Sequence, residues 1–312
     1  MPEIVHNTLT IAKREFKAYF STPLAAVFLT IFVALTGAFA FHMGNFFERG
    51  QADLNPFFQY HPWLYLLLVP AVAMRLWAEE RKAGTIELLM TLPISPWEAI
   101  LGKFFAAWAF IGVALVLTFP MWITVNVLGQ PDNGVIFASY IGSFLMAGAF
   151  LAIGSAVSSV TRNQVIAFIV AATICFLLVM SGLELVLNVF RLWMPGFVVS
   201  AISSLSFLTH FDRITKGVLE LSSLVFYASL IIFALFANRI LVELKKADLR
   251  RRPRASHPRQ IHHRCEPGLH QAHPQGGRLL PHHAGLGLDR PCRHRAAERQ
   301  PDRLDVVPQR QG

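Results

Sequence analysis

Few residues in this chain could do chemistry, and none of them completes a site. Glu79 and Glu80 are the only adjacent carboxylates. On a helix, neighbours splay about 100° apart, so the two cannot converge on one substrate as a hydrolytic acid and base must. They suit a solvated face or a contact with another subunit. Gly102-Lys103 is the only Gly-Lys pair, but it lacks the earlier glycine and the following hydroxyl of the phosphate cradle GxxxxGK[ST]. ATP hydrolysis would therefore fall to a partner. His262, His263 and Cys265, with His257 upstream, could offer metal donors, yet their spacing matches no structural zinc pattern. Cys175, Cys265 and Cys292 form no CxxC pair. Glu184 stands late in an apolar run, where an ionisable group is a candidate intramembrane polar site. If the run ends near Ser181, Glu184 instead reaches water at the interface. No catalytic residue, metal site or cofactor is expected.

The elements that would position these residues are those of a membrane protein. Hydrophobic residues make up 54% of the 312, mean hydropathy is +0.46, and charged residues reach only 15%, against about 25% in soluble domains. Apolar stretches of bilayer-crossing length recur over the first four-fifths of the chain. The predicted fold is all-α, with six spans at 24–43, 61–78, 98–128, 136–160, 164–187 and 221–243. An amphipathic elbow helix occupies residues 1–23. Val5, Leu9, Ala12, Phe16, Tyr19 and Phe20 share one of its faces, and His6, Asn7, Thr10, Arg14 and Lys17 lie opposite. Ala38-Phe39-Ala40 resembles a signal-cleavage site, but the helical leader and long apolar run fit an uncleaved anchor.

The short loops carry an uneven charge. Lys13, Arg14, Lys17, Arg75, Arg81, Lys82, Lys103, Arg162, Arg239, Lys245 and Lys246 fall on one side; Arg49, Arg191, Arg213 and Lys216 fall on the other. The bias predicts both termini in the cytoplasm, with the chain in a bacterial plasma (inner) membrane. Between spans 5 and 6, Pro195-Gly196 should open a short re-entrant or interfacial helix over Phe197–Leu205, followed by an amphipathic lead over 208–221. Ser139, Ser143, Ala147 and Ser155, with Gly142, Gly148 and Gly154, mark the fourth span for close helix packing. Pro120 should kink the third.

The tail, 247–312, differs in kind. Residues 1–248 carry 15 Lys+Arg and 14 Asp+Glu, whereas residues 249–312 carry 13 and 5. The tail thus carries +8 of the formal charge of +9, which is no nucleic-acid signature. With 13 Arg, 8 His and 8 Pro but no aromatic residue, it cannot build a core and should be disordered. Its composition is that of an out-of-frame translation of GC-rich DNA, which predicts a frameshift near Asp248.

The loop at 79–97 has the clearest punctuation. Gly84 should stop the preceding helix, Thr85 should cap a short new one, and Glu87 should meet its positive end. Pro93 should end that helix after about two turns, with Ile86, Leu88, Leu89 and Met90 on it. Ser95-Pro96-Trp97-Glu98 reads as a capping box opening span 3. On these grounds alone the loop could lie on lipid or meet a protein.

Met74-Arg75, Glu79-Glu80-Arg81, Gly84-Thr85-Ile86-Glu87-Leu88-Leu89, Thr91, Pro93-Ile94 and Leu101-Gly102-Lys103 together resemble the signature of ABC-2 type transporter permeases, closest to the gliding-motility-associated branch. The resemblance spans about 1–246. It implies a six-span permease domain over 24–246 and, in the 79–97 loop, a docking site for a separate ABC ATP-binding subunit. Glu79, Glu80, Gly84, Thr85, Glu87, Leu88, Thr91 and Pro93 would form or shape that coupling region. It also implies export, and pairing as a homodimer or with a related permease, in contact with membrane lipid and not with nucleic acid. A stand-alone secondary transporter working through Glu184, and a noncatalytic membrane scaffold, are the alternatives.

Overall fold

The computed structural model describes residues 2–84, 95–217 and 220–251. All regular elements among them are helical. In chain order they are α1 (Pro2–Phe20), α2 (Pro23–Ala38), which runs on as a π-helical turn (Phe39–Met43), α3 (Asn55–Phe58), α4 (His61–Ala73) and α5 (Arg75–Ala83). Then follow α6 (Pro96–Val116), α7 (Phe119–Leu128), α8 (Asn133–Val160), α9 (Gln164–Met180), α10 (Glu184–Trp193), α11 (Gly196–Ser204), α12 (Phe207–Thr215) and α13 (Leu221–Arg251).

Local sequence explains most boundaries. Pro23 opens α2 behind an extended Thr22. The box at α6 forms as predicted: Ser95 Oγ accepts from the Trp97 amide at 3.2 Å, and Glu98 Oε2 accepts from the Ser95 amide at 3.0 Å. The break predicted at Pro120 separates α6 from α7. There the Thr118 hydroxyl donates to the Leu115 carbonyl at 2.6 Å, replacing part of the interrupted helix ladder. Asp132 caps α8 through the amides of Gly134 and Val135. Pro195 precedes α11, and Ser206 caps α12, whose Phe207, His210, Phe211 and Ile214 are buried. The amphipathic lead thus forms as a separate helix over the earlier part of its predicted range.

Four described helical stretches are long and apolar enough to cross a bilayer: Ala25–Met43, Pro96–Leu128, Asn133–Val160 and Leu221–Leu244. The pair α9 and α10 makes a fifth if taken as one broken span, but it bends by 75°. By length and composition the described residues thus hold four such stretches, or five with the bent pair, beside the six expected from the sequence. The predicted second span, 61–78, divides at Met74 into α4, about 20 Å long, and a charged α5. The predicted fifth span, 164–187, ends at Met180, where the chain turns sharply. Hydropathy sums along the chain and does not register a change of direction.

Helix α8 is the hub, packing against α13, α4, α9, α12, α6 and α5. The small-residue face assigned to packing serves contacts within this chain. Gly142, Gly148 and Gly154 lie against Ile214, Trp108 and Ala73. Its polar groups are paired across helices: Ser143 Oγ with Tyr65 Oη at 2.8 Å, and Ser155 Oγ accepting from Asn238 Nδ2 at 2.8 Å. In an apolar surround such bonds fix register because the unpaired alternative is costly.

The elbow helix divides its apolar face. Ile11, Ala12, Phe16 and Tyr19 are partly buried, while Val5, Leu9 and Phe20 remain exposed. The buried flank packs along α6. Gly102 permits that approach, since a Cβ there would lie 2.7 Å from Ile11 Cγ2. At the other end, α13 runs through Asp248 to Arg251. The rest of the tail, with His257, His262, His263 and Cys265, lies outside the described residues.

Candidate functional site

Helix α5 leads into the loop singled out above. Its apolar residues Leu76, Trp77 and Ala78 are buried, while Glu79 and Lys82 are exposed. Gly84 ends it with φ +74°, a left-handed conformation that glycine adopts without the Cβ penalty. The stop predicted at Gly84 is therefore present. Thr85, Glu87, Leu88, Thr91 and Pro93 lie outside the described residues.

The adjacent carboxylates diverge as helix geometry requires. Glu79 is half exposed and pairs with Arg75 one turn earlier at 2.9 Å. Glu80 turns inward and meets Lys103 Nζ of α6 at 2.7 Å. The ammonium is only 4% exposed, and it also lies 3.4 Å from Glu15 Oε1 of α1 and 5.7 Å from the Trp77 ring centroid. Three helices thus converge on one cation. Burial favours the neutral form of Glu15, but the Lys103 ammonium and then the Arg14 guanidinium outweigh it and hold the carboxyl below its usual range.

The sign of the pH dependence follows. A depressed folded pKa stabilises fully above the unfolded carboxylate value, about 4.3, and the gain disappears as pH falls through the lower folded value. Acidification through that window is expected to lower the protection of α1 amides, taken relative to their intrinsic exchange rates, before that of α8. Glu15→Gln should flatten this pH dependence of protection; an unchanged profile in the variant would assign it to another group.

A second contact ties α5 to the hub. The Ser158 hydroxyl of α8 meets the turn between α4 and α5. It donates to Met74 O at 2.9 Å and accepts from the amides of Trp77 at 3.2 Å and Ala78 at 3.1 Å. Its three hydrogen bonds tie the start of α5 to α8.

Arg81 is partly buried, and its Nε has no hydrogen-bond partner among the described residues. Burial, and then the nearby Arg162 guanidinium, lower its pKa. The entry to the loop therefore presents cationic charge that an acidic group would complement.

Glu184 stands apart from this junction. It is exposed in the first turn of α10, at the 75° bend. The sequence places Lys103 among the positive-side charges and in the Leu101-Gly102-Lys103 run but does not reveal its carboxylate partners, and it does not single out Ser158. The available signals were a lysine within an apolar helix and a serine continuing the stripe begun by Ser155. Residues 9–242 match the family model described as ABC-2 family transporter protein. No curated protein matches the chain.

Proposed function

The chain belongs to the ABC-2 family of transporter proteins and is a membrane-spanning permease subunit of an ABC transporter; we propose that its 79–97 loop docks on a separate ATP-binding subunit. Movement produced by that subunit would then enter the membrane through α5. The observation that carries this reading is the double anchorage of α5. Lys103 links it to α6 and α1, and Ser158 links it to α8. A displacement of the loop would thus reach the spans Pro96–Leu128 and Asn133–Val160.

Within the coupling region Glu80 orients α5, while Glu79 and the cationic Arg81 are available to the partner. Gly84 ends α5, and Thr85, Glu87, Leu88, Thr91 and Pro93 shape the docking segment. Family membership supports export by two permease halves, identical or related, joined to two ATP-binding subunits. The Gly84-Thr85-Ile86-Glu87-Leu88-Leu89 run supports the gliding-motility-associated branch. The bias of Lys and Arg supports cytoplasmic termini, and family membership supports a bacterial plasma-membrane location.

Purification from membranes with the ATP-binding protein encoded beside it tests the assembly. The expected product is a complex that survives size exclusion and couples ATP hydrolysis to transport. Recovery of the chain alone, with transport indifferent to ATP, would sink the reading. Thr85→Pro or Glu87→Arg is expected to weaken the complex about tenfold, as loss of an interface hot spot does, while the helical content stays unchanged. Normal binding and transport in both variants would assign the loop to the lipid surface.

A further inference from the structure

A cleft of about 300 Å³ lies at the junction of α1, α5 and α6, lined by Glu15, Tyr19, Thr22, Arg75, Glu79, Glu80 and Lys103 among others. It does not end at its charges. Tyr19, Thr22 and Arg75 also line a second cavity of about 190 Å³, whose other walls include Phe28, Ile31, Leu68, Val72 and Phe110. On α2 this groove extends from near Thr22 to Ile31, about 14 Å of helix rise. Val27 and Ile31 on its wall are 52% and 42% exposed. The two spaces form a polar chamber continued by an apolar channel beside a membrane span. That combination fits an amphiphile with a headgroup and a chain.

The polar end selects the headgroup. Arg75 holds Glu79 through Nε and Nη2, which leaves its Nη1 edge without a hydrogen bond among the described residues. The Tyr19 hydroxyl lies in the electrostatic field of Glu15, Arg75 and Glu79. It too has no hydrogen bond among the described residues, and burial keeps it protonated as a donor. Two unused donors suit a phosphate. The ionised lining as a whole has Glu15, Glu79 and Glu80 against Arg75 and Lys103, an excess of one negative charge. An anionic headgroup would enlarge that excess. A zwitterionic one brings an ammonium to the half-exposed Glu79.

We propose that the cleft and groove together bind one aminophospholipid of the surrounding bilayer. Its phosphate contacts Arg75 and Tyr19, its ammonium contacts Glu79, and an acyl chain lies along the groove between α2 and α4. The proposal requires the membrane location of the fold and no ATP-binding partner, so its failure would leave the coupling reading intact.

The test uses the full chain, extracted in mild detergent, stripped of lipid, and titrated with phosphatidylethanolamine or phosphatidylglycerol under native mass spectrometry. One phosphatidylethanolamine per chain is expected to be retained in preference to phosphatidylglycerol. Arg75→Gln should weaken retention about tenfold, the effect of losing one charge-assisted hydrogen bond. Ile31→Trp, at the exposed wall, should exclude the chain by filling the groove while leaving thermal stability unchanged. Equal retention in both variants would overturn the site, and preference for phosphatidylglycerol would overturn the headgroup assignment. Disulfide crosslinking of two Ile31→Cys copies at full yield, with no lipid retained, would assign the groove to a second copy of the chain.

Discussion

Lys103→Met is expected to destabilise the membrane domain by about 3 kcal/mol, the low end for removing one partner of a buried ion pair. The low end applies because Glu15 and Glu80 each keep 21% side-chain exposure, which lets water relieve part of the cost. Methionine preserves the stem that packs within α6 but leaves two carboxylates facing each other across the α1–α5 contact. An apparent melting temperature roughly 10 °C lower in detergent is the expected readout. The triple variant Lys103→Met, Glu15→Gln, Glu80→Gln should recover most of the loss, since it removes the uncompensated charge. A Lys103→Met protein that melts within about 2 °C of the parent would show that the junction contributes little to holding the three helices.

Ser158→Ala is expected to cost about 1–3 kcal/mol, the price of withdrawing a buried hydroxyl from polar groups that it satisfies. Its larger effect should fall on coupling. Without the hydroxyl, the tie between the start of α5 and α8 is lost, so a displacement of α5 is passed to α8 less directly. In the complex with its ATP-binding subunit, ATP hydrolysis should persist while transport per ATP falls severalfold. A purely structural role would lower yield and stability together and leave the coupling ratio of the surviving protein unchanged. Retention of the parental ratio would therefore remove Ser158 from the transmission route.

Much of the fold was legible in order along the chain. Residue types at helix ends act through contacts no more than four residues away, so Pro23, Gly84, the Ser95–Glu98 box and Pro195 could be read without knowing the tertiary arrangement. Hydrophobic content likewise marks which stretches lie in lipid or in the core. It does not distinguish the two fates, and it does not register a turn or a helix break within an apolar run. The run 164–187 is apolar throughout most of its length, yet the chain turns at Ser181 to Leu183. The run 61–78 divides at Met74, where a hydroxyl of α8, 80 or more residues away in sequence, meets the chain.

The candidate site divides along the same line. By itself the sequence determined that a charged, glycine-terminated segment leads from an apolar run into the 79–97 loop, and, through helix periodicity, that Glu79 and Glu80 face different ways. Only the tertiary structure decided which of the two turns inward, that Lys103 is its partner, and that Glu15 and Ser158 complete the anchorage. Those choices depend on which helices meet and at what depth. Ion pairing and hydrogen bonding between distant segments leave no periodic trace in a chain, because their strength is set by proximity and exclusion of water, neither of which is a property of residue order.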